Sequence, residues 1–243
     1  MSADRGADPI GPGSPPGRLE LPPVFDTLRA ALADPTERRR MVAAVPGRGA
    51  RGAAVLALFG PVGDGVWPRR PEDLTVTLTE RSHTMRSHPG QISFPGGGVE
   101  DTDADEVQTA LREATEEVGL DAATVDVLGA VPPAYMQRSD FDVTTVVGWW
   151  RRPHPIGVED PAEVHAAINV PLATLLDPAH RVTSVHPSGH RGPAFEVGEL
   201  FVWGFTAHLL DGLFTLAGWT TDWDHARRRD VPARFMRDGV ARR

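Results

Sequence analysis

No cysteine occurs among these 243 residues. Disulfides, thiolate metal sites and a cysteine nucleophile are therefore excluded, and a reducing compartment fits. Any metal held by the chain must sit on oxygen or imidazole. The sequence also has no apolar run long enough to cross a bilayer, and its N-terminus, MSADRGADPIGPGSPPGRLELPP, lacks the apolar core of a signal peptide. Together these absences predict a cytoplasmic protein without a membrane partner. A surplus of basic charge is missing as well. The formal net charge is −8, which argues against a protein that grips nucleic acid but leaves room for a small anion held by a local basic cluster.

Hydrophobic residues make up 40% and charged residues 24% of the chain, the balance of an ordinary globular protein. The length suits one well-buried domain with extensions. Residues 1–23 are rich in Pro, Gly and Ser, and too poor in apolar side chains to offset the entropy of ordering them, so a mobile tail is expected. Phe25, Leu28 and Leu32 then recur at helical spacing, and a second short helical stretch starts at Thr36-Glu37, giving an added helical layer. Residues 53–59 (AAVLALF) and 74–79 (LTVTLT) read as core strands. A helix around 109–118 follows, then strands at 125–131 and 143–150 and a helix or turn within 161–176. Short strands at 181–186 and 195–201 precede a helical pattern over 205–210. The order is mixed α and β. The last stretch, with Arg227, Arg228, Arg229, Arg234, Arg237, Arg242 and Arg243, reads as a solvated helix face or tail rather than a nucleic-acid patch.

The chemistry concentrates in Leu111-Arg112-Glu113-Ala114-Thr115-Glu116-Glu117-Val118-Gly119-Leu120. A helix advances about 100° per residue, so Glu113, Glu116 and Glu117 share one face. Such carboxylates repel one another unless cations neutralise them, and their hard oxygens suit Mg²⁺ or Mn²⁺. A run of glutamates alone is usually a solvated surface. Here it follows Phe94-Pro95-Gly96-Gly97-Gly98, read as a glycine loop that permits close backbone approach to a ligand, and an acidic stretch at 100–106. Arg81, His83, Arg86 and His88 crowd the strand exit before the glycines, where charge-assisted hydrogen bonds can hold phosphates. His180, His186 and His190 have no spacing that suits a metal site and are read as loop residues.

These residues resemble the Nudix hydrolase signature, R-E-hydrophobic-x-E-E-x-G-hydrophobic, with Ala114 where a larger apolar residue is common. The loop acid of that signature falls to Asp103 or Asp105. Leu78-Thr79-Glu80-Arg81-Ser82, Arg86, Gly90-Gln91 and Phe94-Pro95-Gly96-Gly97 are similar to the extra motif of the coenzyme A pyrophosphatase branch. Gln137-Arg138-Ser139-Asp140-Phe141 departs from that branch's T-x-S-G-F pattern at Gln137 and Asp140. The resemblance implies an α+β fold of Nudix type, a mixed β-sheet sandwiched between helices. It divides the chain into a tail at 1–23, a hydrolase domain with a helical extension at 24–222, and an Arg-rich segment at 223–243.

It also implies a hydrolase of phosphoric anhydride bonds using Mg²⁺ or Mn²⁺. Glu113, Glu116 and Glu117 would bind metal, Arg112 would orient a neighbouring acid, and Glu163 would be an added ligand or base. Arg81, Ser82, Arg86, Gly96 and Gly97 would bind substrate. The expected partner is a small nucleoside diphosphate derivative, coenzyme A or a thioester first, with ADP-ribose, NADH or another such compound as the alternative and a silent nucleotide-binding module as the rival of a different class. A homodimer is one assembly open to it.

Overall fold

The apolar run at 53–59 alternates toward two cores. Ala57 and Phe59 face one, and Ala54, Leu56 and Leu58 face the other. A strand covered on both sides reads as an unbroken hydrophobic stretch, which is why the alternation is invisible in the sequence. The computed structural model describes residues 20–42, 51–85, 87–136 and 140–236. Arg86, Gln137, Arg138, Ser139, residues 1–19 and the last arginines, Arg237, Arg242 and Arg243, lie outside the described residues.

The described elements run α1 (Asp26–Ala33), α2 (Pro35–Val42), β1 (Arg51–Pro61), β2 (Leu74–Arg81), β3 (Ile92–Ser93), β4 (Gly96–Gly98) and α3 (Glu106–Val118). Then come β5 (Val125–Met136), β6 (Phe141–Trp150), β7 (Val164–Pro171), α4 (Leu172–Leu176), β8 (Arg181–Val185), β9 (Arg191–Val197), β10 (Leu200–Val202), α5 (Gly204–Ala217) and β11 (Arg228–Asp230). The expected mixed sheet between helices is present. Its strands follow the order β3-β2-β1-β6-β5, with β4 added on β1 and β7 on β2. β1 and β6 are parallel, and the other pairings are antiparallel. α3 packs on one face through Ala110, Ala114 and Val118. α1 and α5 cover the opposite face through Phe25, Leu28, Leu210, Leu213 and Phe214.

One end of β1 pairs with β2, Phe59 opposite Val76, while the other end pairs with β4, Ala54 opposite Gly97. The two partners separate along β1, and the space between them opens beside the glutamate helix.

Four local expectations change. The stretch read as helix or turn at 161–176 is mostly β7, which lies along β2 from Thr75 to Arg81, and only Leu172–Leu176 is helical. Its Ala, His and Asn residues carry little β-propensity, but the edge of β2 needs hydrogen-bond partners and β7 supplies them. The single strand read at 195–201 is a hairpin, β9 and β10, turned at Gly198 with φ 60°. The glycine loop at 96–98 is a strand, for reasons given below. The arginine-rich segment is no helix or free tail at 228–230. β11 joins β8 in a second, four-stranded sheet of order β10-β9-β8-β11, and Val231 and Phe235 pack with Val182, Ala194 and Phe201 beneath it.

The helical layer is welded to the domain by Phe25, which is fully buried with its ring 5.3 Å from Trp149, 6.0 Å from Trp219 and 6.2 Å from Phe59. Phe25→Ala should cost about 3–5 kcal/mol, the range for deleting a buried aromatic, as measured by urea unfolding. A loss below about 1 kcal/mol would show the layer to be dispensable for stability.

Candidate functional site

α3 is bounded by strong local signals. The Asp105 side chain caps its start, accepting from the Gln108 amide at 2.8 Å, and Gly119 ends it in the left-handed conformation at φ 71°. Ala110 and Ala114, one turn apart and fully buried, let the helix lie close to β1. The small residue at 114 is thus a spacing device. Closeness brings the glutamates against the main chain of β4.

Glu117 is 3% exposed, and its Oε2 accepts a hydrogen bond from the Gly96 amide at 3.0 Å. Glu113 lies against Gly97, where a Cβ atom would stand 2.5 Å from the carboxylate carbon. Gly96 has φ 153°, and a Cβ there would meet the Ala54 carbonyl oxygen at 2.3 Å. Glycine normally weakens a strand. These glycines form one because only a backbone without side chains fits between β1 and two carboxylates.

Arg112 organises the exposed side of the helix. Its guanidinium donates to both oxygens of Asp103 at 3.0 Å, to Glu113, to Glu116 and to the Gly98 carbonyl, each also at 3.0 Å. Of the two candidate loop acids, Asp103 faces Arg112 and Asp105 caps the helix. The guanidinium, then the Glu100 amide region and Thr109 hydroxyl, hold the Asp103 carboxyl well below its usual range, and Asp103 in turn raises Arg112. Glu116 remains more than half exposed at the rim.

Buried Glu117 and half-buried Glu113 are charged only at a cost. Burial pushes Glu117 up to about 8; the Gly96 amide and Arg81 pull it back, while Glu113 and Glu163 push it further. Glu113 is raised first by burial, with Arg112 opposing and Glu116 and Glu163 reinforcing.

Arg81 and Glu163 come from the paired ends of β2 and β7 and line a cavity of about 660 Å³ together with Gly96 and Gly97. Arg81 Nε is buried with no hydrogen-bond partner among the described residues. Ser82, expected beside it, is elsewhere. It is buried, its amide donates to the Glu163 carbonyl at 2.7 Å, its hydroxyl meets that of Thr84 at 2.9 Å, and it does not line the cavity. Arg86, expected in the same role, is outside the described residues.

Sequence reasoning passed over the far wall. His186 and His190 stand at the two ends of the β8–β9 turn, where the His186 amide donates to the His190 carbonyl at 2.9 Å, and both line the cavity with Trp203, Phe205 and Leu209. The turn chemistry of Pro187-Ser188-Gly189, with Gly189 at φ 87°, was the readable signal that the two histidines return to one place.

Among the described residues no group of three or more His, Asp or Glu side chains is arranged to hold a metal ion. Mg²⁺, however, is commonly held by one or two carboxylates with water and substrate phosphate completing its octahedron. A buried carboxylate, Glu117, and the half-buried Glu113, both resisting ionisation, are a donor set that a hard divalent cation fits. His83 pairs with Glu80 at 3.2 Å and packs on His165, away from the cavity lining.

The family model described as NUDIX domain matches residues 61–187. Over 149 residues the chain is 41% identical to an uncharacterized Nudix hydrolase, NudL, of Cronobacter sakazakii (strain ATCC BAA-894), a match covering 58% of this chain and 74% of that protein. The same coverage gives 38% identity to NudL of Escherichia coli (strain K12). A crystal structure of a Nudix hydrolase from M. smegmatis, RenU, is 22% identical with a TM-score of 0.42, over 55% of this chain and 81% of that one.

In the folded chain without a cation, Glu117 keeps its proton up to about pH 8, whereas the unfolded chain releases it near the ordinary value of 4.5. Between these values the folded state binds more protons, so stability falls as pH rises. The thermal midpoint in excess chelator should decline from about pH 5 to about pH 9. Glu117→Gln should flatten this decline, and Mg²⁺ should raise the wild-type midpoint more at the alkaline end than at the acidic one. Superimposable profiles for wild type and variant would remove the perturbation from Glu117.

Proposed function

This chain belongs to the Nudix family and is a hydrolase of pyrophosphate bonds in nucleoside diphosphate derivatives; from that premise we propose that it cleaves coenzyme A or its thioesters to 4′-phosphopantetheine, free or acylated, and adenosine 3′,5′-bisphosphate. The observation that carries the reading is where the branch-like motif lies. Arg81, Gln91, Phe94, Gly96 and Gly97, all quoted from that motif, line the cavity beside the glutamate helix. The departure at Asp140 supports it too. Asp140 has φ 57°, the left-handed conformation that the glycine of the T-x-S-G-F pattern would supply, and its carboxylate accepts from the Tyr135 hydroxyl at 3.0 Å. Asp tolerates this conformation better than most residues, so Asp140 can stand where the pattern has glycine.

In this reading Glu113, Glu116 and Glu117 hold Mg²⁺ or Mn²⁺. The ion, when bound, neutralises phosphate charge and lowers the pKa of attacking water. Water attacks one phosphorus, the bridging P–O bond breaks, and its electron pair leaves on the second phosphate. Glu163, exposed at the cavity mouth and electrostatically coupled to Glu113 and Glu117, takes the proton of the water or adds a ligand. Arg81 directs its unpartnered donor to the diphosphate, and Arg86 continues the same basic stretch. Arg112 is a positioning residue: it fixes Glu113 and Glu116 and ties them to the acidic loop through Asp103. A silent binding module would have little use for a buried and a half-buried carboxylate held at this cost.

Glu116→Gln and Glu117→Gln should each lower turnover at least about 100-fold with the fold intact. Normal turnover in excess chelator would overturn the metal role. A panel of coenzyme A, ADP-ribose, NADH and diadenosine polyphosphates with Mn²⁺, products separated by chromatography, tests the substrate; a much higher kcat/KM on ADP-ribose or NADH than on coenzyme A would refute it. The glycine strand supplies a separate check. Gly97→Ala, whose Cβ must displace the Glu113 carboxylate, should lower turnover on the order of 100-fold, as misplacement by about 1 Å can. Gly98→Ala, which meets nothing within 4 Å, should lose far less.

A further inference from the structure

The cavity is larger and more apolar than a diphosphate requires. Charged residues, Arg81 and Glu163, occur only where it meets the carboxylates, and the rest of its lining holds no Asp, Glu, Lys or Arg. Resting on the coenzyme A reading above, we propose that the inner part of this cavity, walled by Met85, Met136, Phe141, Phe205 and Leu209, receives the acyl chain of a coenzyme A thioester, so that the enzyme favours chains of limited length over free coenzyme A.

Three observations favour a flexible chain there over a nucleobase. The flat ring faces that a base would stack on are partly taken. His186 lies on Trp203 at 5.9 Å between centroids and 15° between planes, and the Arg51 guanidinium sits 4.1 Å over the Phe141 ring. The apolar lining also includes Val55, Ile92, Val143, Leu209 and two methionines, whose unbranched thioethers adapt to a chain rather than to a fixed plane. Trp203 also has a buried Nε1–H without an acceptor among the described residues. A buried donor of this kind calls for a partner, and the carbonyls of the pantetheine arm and the thioester are acceptors. Gln91 and Ser93, also in the lining, add polar groups for the amides of that arm on its way from the mouth. The roof is fixed: the Thr206 hydroxyl donates to the Ile92 carbonyl at 3.0 Å, holding the start of α5 to β3. Phe205 and Leu209, on that fixed start of α5, belong to the lining a chain would meet.

The test is kcat/KM with Mn²⁺ for free, acetyl-, hexanoyl-, octanoyl- and palmitoyl-coenzyme A. Each buried methylene should raise it about fourfold, equivalent to about 0.8 kcal/mol, until the pocket is full, after which the rise stops. Leu209→Trp, filling the inner end, should lower the octanoyl-to-acetyl ratio at least about tenfold. Phe205→Ala should move the optimum to longer chains, a gain that misfolding cannot produce. A flat series in the wild type, or ratios unchanged in both variants, overturns the acyl pocket while leaving coenzyme A as substrate. Cleavage of ADP-ribose with no turnover of any coenzyme A compound overturns the substrate reading itself and the pocket with it.

Discussion

The contact of Glu117 with the Gly96 amide, and of Glu113 with the bare backbone at Gly97, is the constraint on which the rest of the site depends. Two carboxylates can approach a strand this closely only if the strand has no side chains and the helix carrying them lies low. The glycines meet the first condition, and Ala110 with Ala114 meets the second. The result is electrostatically costly: burial pushes both acids toward the neutral form, Glu113 and Glu163 add to the shift of Glu117, and Glu116 and Glu163 add to that of Glu113. Paired burial of like charge is stable only with compensation, and Arg112 gives part of it to Glu113 but none to Glu117 directly. The unmet remainder is the electrostatic ground on which the proposed cation site rests.

The sheet converts this local arrangement into a reaction site by dividing the partners of β1. With β2 on one half and β4 on the other, the strand ends bearing Arg81 and Glu163 emerge at the mouth of the gap. The cavity behind that mouth is closed by the β8–β9 turn and the start of α5, and the same α5 packs through Leu210, Leu213 and Phe214 into the core shared with Phe25 and Leu28. The N-terminal helices therefore support the cavity roof at one remove, through a continuous apolar core rather than by touching the lining.

How much of this was legible depended on whether the signal was local. The face of Glu113, Glu116 and Glu117 follows from helical geometry alone, and the caps at Asp105 and Gly119 are local chemistry, so helix and cluster could be read directly. The choice between Asp103 and Asp105 could not, because it turns on which one a folded loop brings to Arg112. The strand at Gly96–Gly98 was hidden by composition: glycine argues against a strand unless one knows what presses on it. β7 was hidden because its pairing along β2, not its Ala- and His-containing sequence, makes it extended. His186 and His190 were seen but not brought to the cavity, since only the β8–β9 pairing and the packing of the second sheet carry them there. The positive φ of Asp140, where the 137–141 pattern has glycine, was not legible because Asp does not declare that conformation in a sequence.

The glycine strand also divides the labour of the site. On its α3 side the main chain itself is used, the Gly96 amide toward Glu117 and the Gly98 carbonyl toward Arg112. On its other side the three glycines line the cavity with no side chain of their own. The α3 carboxylates thus meet one side of the glycine strand and the cavity the other, while Arg81 and Glu163 carry charge into the cavity lining itself. A change at Phe205, Leu209 or Trp203 can alter the cavity without moving a carboxylate, whereas any side chain added at Gly97 disturbs Glu113 at once. This asymmetry explains why the carboxylate cluster was readable from a short motif and the full cavity lining was not. The former is fixed by one helix against one strand; the latter adds to the motif residues side chains from β1, β6, the β8–β9 turn and the start of α5, which meet only after folding.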